Sequence, residues 1–161
     1  MEDIIRKVNS GERLAFAEAG ELFSAMVTGG CTESQMGSVL VSMRFRGETS
    51  DELAALVTTL NRHKRIFHHQ SRKTVDTCGT GGDGKSTVNI STAAGLILSS
   101  MAYPVVKHGN SAQSGKVGSA DILKRLGINI EKMRDKGESC LERHGFVFMF
   151  APHYHPALAG I

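Results

Sequence analysis

Apolar positions recur at helical spacing through the first 66 or so residues. Met36, Val39, Leu40 and Met43 fall at i, i+3, i+4 and i+7, and so do Leu53, Leu56, Val57 and Leu60, so each set predicts one buried helix face. Thr32 with Gln35, and Thr49 with Glu52, form S/T-x-x-E/Q capping boxes that start these two helices. An earlier helix is expected from about Phe16 to Val27, ended by Gly29-Gly30. The pattern predicts a small all-helical unit.

From Thr74 the rhythm changes. A short β-prone run, Thr74 to Cys78, meets a glycine-rich turn, and Val88 to Met101 then reads as a helix with Ile90, Ala94, Leu96, Ile97 and Met101 apolar. A second short run, Tyr103 to Val106, ends at Lys107. Helices are expected over Ser119 to Leu126, stopped by Gly127, and over Glu131 to Arg143, with a fully apolar strand at Phe146 to Phe150. Strand alternating with helix predicts an α/β fold with a mostly parallel sheet covered by helices. The predicted division is a helical domain at 1–66, a hinge at 67–73 and an α/β domain at 74–161. The stretch from Asn61 to Lys73 holds five Lys or Arg, three His and no acid, which reads as a solvated hinge. Its one aromatic, Phe67, lacks the interleaved pattern of a single-strand binder.

Composition narrows the classes. The 161 residues are 40% hydrophobic and 22% charged, a globular balance that excludes wholesale disorder. No run approaches the ~18–20 apolar residues of a membrane span. The start Met1-Glu2-Asp3 does not resemble a secretory signal, so a cytoplasmic address is expected. Nineteen basic residues against 16 acidic give +3, too little for a dedicated nucleic-acid binder but tolerant of an anionic small ligand. Cys31, Cys78 and Cys140 form no CxxC pair and read as reduced thiols, against a disulfide framework or structural zinc. Of 18 glycines, eight fall between Gly79 and Gly118, which concentrates backbone freedom there.

The run Gly79-Thr80-Gly81-Gly82-Asp83-Gly84-Lys85-Ser86 satisfies both GxxxxGK[ST] and GxGxxG. After a strand and before a helix, such glycines let amides and a helix N-terminus approach a phosphate. A dinucleotide site needs an acid at the end of the second strand, but that strand ends in Lys107-His108. A P-loop NTPase needs a later apolar strand ending in Asp, whereas Phe146 to Phe150 runs into Ala151-Pro152-His153, and Asp83 would face the triphosphate. The NTPase remains a lesser alternative. A third reading uses Asn89-Ile90-Ser91-Thr92 on the first turn of the following helix and the polar loop from Lys107 to Ser119. Parallel strands bring both loops to one sheet edge, where hydroxyls, an acid, lysines and an amide suit a ligand with several phosphates and a sugar, bound with magnesium.

Gly79-Thr80-Gly81-Gly82-Asp83, Asn89-Ile90-Ser91-Thr92 and Lys107-His108-Gly109-Asn110, in this order and spacing, closely resemble the anthranilate phosphoribosyltransferase family. Met43-Arg44-Phe45-Arg46-Gly47-Glu48-Thr49 and Phe150-Ala151-Pro152-His153-Tyr154-His155-Pro156 extend the resemblance over nearly the whole chain. It implies a fold of the nucleoside phosphorylase/phosphoribosyltransferase type and a transferase of tryptophan biosynthesis. The implied reaction displaces pyrophosphate from C1 of phosphoribosyl pyrophosphate by the anthranilate amine. It further implies that Gly79, Gly82, Asp83, Thr87, Asn89, Ile90, Ser91 and Thr92 contact phosphoribosyl pyrophosphate, with Ser91 also touching Mg2+. Lys107, His108, Gly109, Asn110, Ser111, Ala112, Gln113, Ser114, Gly115 and Ser119 would complete the cradle. Gly79, Asn110, His108 and His153 would face anthranilate. The resemblance also implies a homodimer for the full-length family.

An aryl amine is nucleophilic when neutral, so no acid or base is assigned, and charge neutralisation and proximity carry the chemistry. His153-Tyr154-His155 lacks the spacing of a metal site and reads as packing or substrate contact. Cys78 reads as a small buried residue, and Asp121 as a helix cap. Two departures stand out. The family continues Asn-Arg-Ser-Val where Asn110 is followed here by Ser111-Ala112-Gln113, which removes one bidentate anion partner. Family members also run to roughly twice this length. Beyond it they carry an arginine for the anthranilate carboxylate and an Asp-Glu pair for magnesium. Asp51-Glu52 starts a helix and is no substitute. A non-catalytic half that assembles with a partner polypeptide is therefore the alternative expectation.

Overall fold

The computed structural model describes residues 1–71, 73–79, 89–112 and 117–158. Its chain divides into two compact units, Met1–Arg65 with the residues from His155 onward, and Ile66–Tyr154.

The first unit is built from α1 (Glu2–Asn9), α2 (Phe16–Val27), α3 (Glu33–Arg46) and α4 (Ser50–His63). Both predicted capping boxes form: Thr32 accepts the Gln35 N–H at the start of α3, and Thr49 accepts the Glu52 N–H at the start of α4. Ile4, Ile5 and Val8 of α1 join Ala19, Leu22, Phe23 and Met26 of α2, Val39 and Met43 of α3 and Ala55 of α4 in one core.

The inward face of α4 differs from the periodic expectation. Glu52, Ala55 and Thr59 are buried, whereas Leu53 and Val57 are exposed and Leu56 is half-buried. On α3 the expected Leu40 is likewise exposed. The cause on α4 is Glu52, which is 0% exposed and held from three sides. Arg46 grips both its oxygens, Nη1 reaching Oε2 at 3.0 Å, while the amides of Leu14 and Thr49 donate to Oε1 and Oε2 at 2.9 Å each. Burial pushes this carboxyl up. The Arg46 hydrogen bond, the two amides and the arginine charge outweigh that and leave its pKa at about 2. A satisfied buried carboxylate therefore fixes the rotation of α4.

The second unit holds α5 (Ile90–Ser100), β1 (Val105–Gly109), α6 (Ser119–Arg125), α7 (Ile130–His144), β2 (Phe146–Phe150) and the short α8 (Ala151–Tyr154). A 3-10 turn at Pro156–Leu158 follows in the first unit. β1 and β2 pair in parallel, from Val105 opposite Phe146 to Gly109 opposite Phe150. The expected strand at Thr74 to Cys78 reduces to one parallel bridge, Val75 to Val105. β1 begins two residues later than expected, which moves Lys107 and His108 from the loop into the strand. Alternate residues of the two strands enter opposite cores: Val105, Phe146 and Phe148 meet Ala120, Leu123 and Ile130, while Val106, Val147 and Met149 meet Leu141 and Tyr154. On α5 the buried residues are Thr92 and Gly95, and the expected apolar positions Ile90, Ile97 and Met101 are exposed.

Candidate functional site

The site grows from β1 and the first turn of α5. Lys107 is the third residue of β1 and 1% exposed. Its stem lies over Gly95 of α5, where an added Cβ would stand 3.5 Å from the lysine Cδ and 3.1 Å from the Thr77 hydroxyl. Nζ donates to the Ser91 hydroxyl at 3.2 Å, and Thr77 Oγ1 donates to the Ser91 carbonyl at 2.7 Å. Burial holds the ammonium pKa below its usual value, against the opposing pull of Cys78 and Asp76. One residue on, the Thr92 hydroxyl is buried with no partner among the described residues. The buried Lys107 ammonium and the N-terminus of α5, whose Thr92 hydroxyl is orphaned, make this corner a candidate seat for an anion.

Around this seat the two loops are tied together. Asn89, the N-cap of α5, donates from Nδ2 to the Val117 carbonyl at 2.9 Å. Asp76 Oδ1 accepts the N–H of Cys78 at 2.8 Å and that of His108 at 3.3 Å, while its Oδ2 stands 3.0 Å from His108 Nδ1. Gly109 has no room for a side chain, since a Cβ would lie 2.6 Å from the Phe148 ring. Asn110 accepts the Ala120 N–H on its carbonyl and the Ser111 N–H on its own Oδ1. Asp121 receives the amides of Gly118 at 2.8 Å and Ala112 at 3.1 Å, which hold its carboxyl below the usual carboxylate range. It acts as the cap expected of it and also pins Ala112 to the start of α6, whose first residue is Ser119.

Asn89, Ser91, Thr92, Lys107, His108 and the Asn110–Ala112 segment thus share one linked region. His153 stands apart in its contacts. It lies on α8 after β2, with Nε2 3.2 Å from Glu131 Oε2 and its ring edge-on to Phe150 at 5.2 Å. Gly79 is exposed. Gly82, Asp83, Thr87, Gln113, Ser114 and Gly115 lie outside the described residues. Cys78 is exposed rather than buried, because the chain has left its single pairing at Val75, and its thiol donates to the Gly79 carbonyl at 3.4 Å. All three cysteines are free thiols.

Sequence reasoning passed over Asp76, Thr77 and Gly95. An acid three residues before Gly79 was the available signal for the first, since Asp at the entry to a turn bonds the backbone two residues on. Among the described residues no three His, Cys, Asp or Glu side chains gather as metal ligands. The Ser91 hydroxyl is a neutral oxygen donor of the kind that a magnesium ion held chiefly by phosphate oxygens and water accepts, and its contact with the Lys107 ammonium would have to yield to such an ion.

Known proteins resemble the chain over nearly its whole length. Residues 71–161 match the family described as "Glycosyl transferase family, a/b domain", and residues 2–64 match its "helical bundle domain". Anthranilate phosphoribosyltransferase of Geobacillus stearothermophilus is 44% identical over 158 residues, covering 98% of this chain and 46% of the relative. The crystal structure of anthranilate phosphoribosyltransferase from Thermus thermophilus superposes with a TM-score of 0.87 at 36% identity, over 99% of this chain and 48% of that one. The Saccharomyces cerevisiae enzyme in complex with PRPP and Mg shares the fold, with a TM-score of 0.83 at 21% identity over 98% of this chain and 48% of that one. The chain spans about half the length of the curated relatives it matches. With both of its domains matched in order, the chain belongs to this glycosyl transferase family.

Proposed function

We propose that the chain carries the phosphoribosyl pyrophosphate half-site of an anthranilate phosphoribosyltransferase. The observation that carries the reading is the buried Lys107 ammonium against Ser91, with the unpartnered Thr92 hydroxyl one residue further along α5. That set suits the pyrophosphate and ribose of the donor. In the proposed reaction the aryl amine attacks C1 of the ribose, the C1–N bond forms as the C1–O bond to pyrophosphate breaks, and the amine proton passes to the released pyrophosphate. Lys107 and the α5 N-terminus hold the charge that builds on the leaving pyrophosphate. Ser91 would contact a bound magnesium, whose charge would add to the neutralisation of the leaving pyrophosphate. His108, Asn110, Gly79 and His153 are assigned to the anthranilate side, and Gly82, Asp83, Thr87, Gln113, Ser114 and Gly115 to the donor loops. A cytoplasmic location belongs to the same reading, and no helix among the described residues is long and apolar enough to cross a membrane.

Calorimetric titration with phosphoribosyl pyrophosphate and magnesium, beside an identical titration with ATP, tests the proposal. Selective binding of the first supports it. Preference for ATP replaces it with the nucleotide reading.

A second reading, a half that assembles with a partner polypeptide, draws on α5. Ile90, Ile97 and Met101 lie along one side of that helix and are 65%, 59% and 60% exposed. Such a stripe asks for a covering surface. A co-expressed C-terminal half of a relative should then co-purify with this chain and bring anthranilate turnover with it.

A further inference from the structure

Thr77 has no part in the phosphoribosyl reading, yet its hydroxyl ties the chain entering the glycine-rich run to the helix that follows it. Two residues past the Val75–Val105 bridge, Thr77 Oγ1 donates to the Ser91 carbonyl at 2.7 Å. A carbonyl inside a helix needs one of its two lone pairs for the helical ladder, so this bond is additional to the fold of α5. The first turn of α5 also lacks the usual local cap. Asn89, its N-cap, makes no side-chain bond to the helix and donates instead to the Val117 carbonyl at 2.9 Å. Among the described residues that turn is held from outside, by Val117 at Asn89 and by Thr77 at the Ser91 backbone. Gly95 lets the parts close up. A Cβ there would stand 3.1 Å from Thr77 Oγ1 and 3.5 Å from both Lys107 Cδ and the Phe146 ring. The contact from Lys107 Nζ to Ser91 Oγ is 3.2 Å, at the long end of the hydrogen-bond range. A shift of Ser91 by roughly 0.4 Å would take it out of that range.

We propose that Thr77 is a positioning residue whose hydroxyl holds the first turn of α5, so that the Ser91 hydroxyl stands at the Lys107 corner. The consequence for ligand binding rests on the phosphoribosyl pyrophosphate reading above. Ser91 and Lys107 are two of the groups assigned to that donor, and Thr77 sets their spacing through the Ser91 backbone rather than by a contact of its own.

The test compares Thr77→Val, which keeps the branched shape and removes the hydroxyl, with Thr77→Ser, which keeps the hydroxyl. In calorimetric titration with phosphoribosyl pyrophosphate and magnesium, Thr77→Val should bind about 3- to 10-fold more weakly than wild type and Thr77→Ser within about 2-fold of it, the range of one neutral hydrogen bond. In a Ser91→Ala background the positioned hydroxyl is gone, so Thr77→Val should cause no further loss. A purely structural role would weaken both backgrounds equally. That equal loss, or undiminished binding by a folded Thr77→Val, overturns the proposal. A wild type that does not bind refutes the phosphoribosyl pyrophosphate reading, and the ligand consequence falls with it. A wild type and a Thr77→Val that bind alike refute the positioning role alone. The ligand-free wild type adds an independent check, since three-bond NMR couplings to Thr77 Cγ2 should report a single χ1 rotamer. Averaging over rotamers overturns the proposal even if Thr77→Val fails to fold.

Discussion

Two buried charges show opposite solutions to the same problem. Glu52 is surrounded by donors, whereas the Lys107 ammonium has the Ser91 hydroxyl as its described partner. A buried charge with partial compensation costs stability, and retaining it makes sense where a ligand completes the set. Lys107→Met should therefore raise stability by about 1–3 kcal/mol in urea unfolding. The same variant should weaken binding of phosphoribosyl pyrophosphate with magnesium by roughly 10- to 100-fold, the size of one charge-assisted bond. Glu52 behaves in reverse. Its folded pKa of about 2 lies below its usual 4.5, so its contribution is complete above pH 4.5 and is lost as the pH falls toward 2. Integrated over that window the loss is on the order of 3 kcal/mol. The denaturant midpoint of the wild type should drop across this range, while Glu52→Gln, weaker already at pH 7, should drop less.

At the scale of elements, the residues that specify ends were legible, while the faces were legible only in part: Val39 and Met43 of α3 face the core as expected, but the faces of α4 and α5 differ. Thr32, Thr49 and Gly127 mark the helix ends where local chemistry puts them, and α2 and β2 occupy the expected residues. Caps depend on neighbours three residues away, so sequence contains the whole cause. Faces depend on distant partners. Leu53 and Val57 lost the inward side of α4 because Glu52 found Arg46 and the Leu14 amide, 38 residues back in sequence for the latter. On α5, Gly95 turned inward because the Lys107 stem needs the space. The same limit hid Asp76, whose imidazole partner is 32 residues away. By contrast, Asn89, Ser91 and Thr92 are neighbours in sequence, so their sharing the start of α5 could be read without the fold. The inverted α4 face makes a direct prediction. Leu53→Lys with Val57→Glu should change stability by no more than about 0.5 kcal/mol, as surface replacements do. Ala55→Leu, which overfills the core, should cost about 1–3 kcal/mol. The shift in denaturant midpoint separates the two.

For the molecule as a whole, each unit closes a core of its own, but the second unit leaves apolar surface uncovered. Its sheet has two strands and a bridge among the described residues, and α5 presents Ile97 and Met101 outward at one helical turn's spacing. These side chains contribute little to the buried cores, which draw on Val105, Phe146, Phe148 and their neighbours. Replacing them with charge should therefore leave the unit folded. Ile97→Lys with Met101→Glu is expected to keep the circular dichroism spectrum and to reduce self-association in sedimentation and binding of a hydrophobic dye. It should also abolish co-purification of a complementary half if α5 is where that half docks. Unchanged sedimentation and unchanged dye binding would mean that the stripe is merely solvated surface. Loss of the helical spectrum would instead make Ile97 and Met101 part of the fold of α5, against their exposure in the structure.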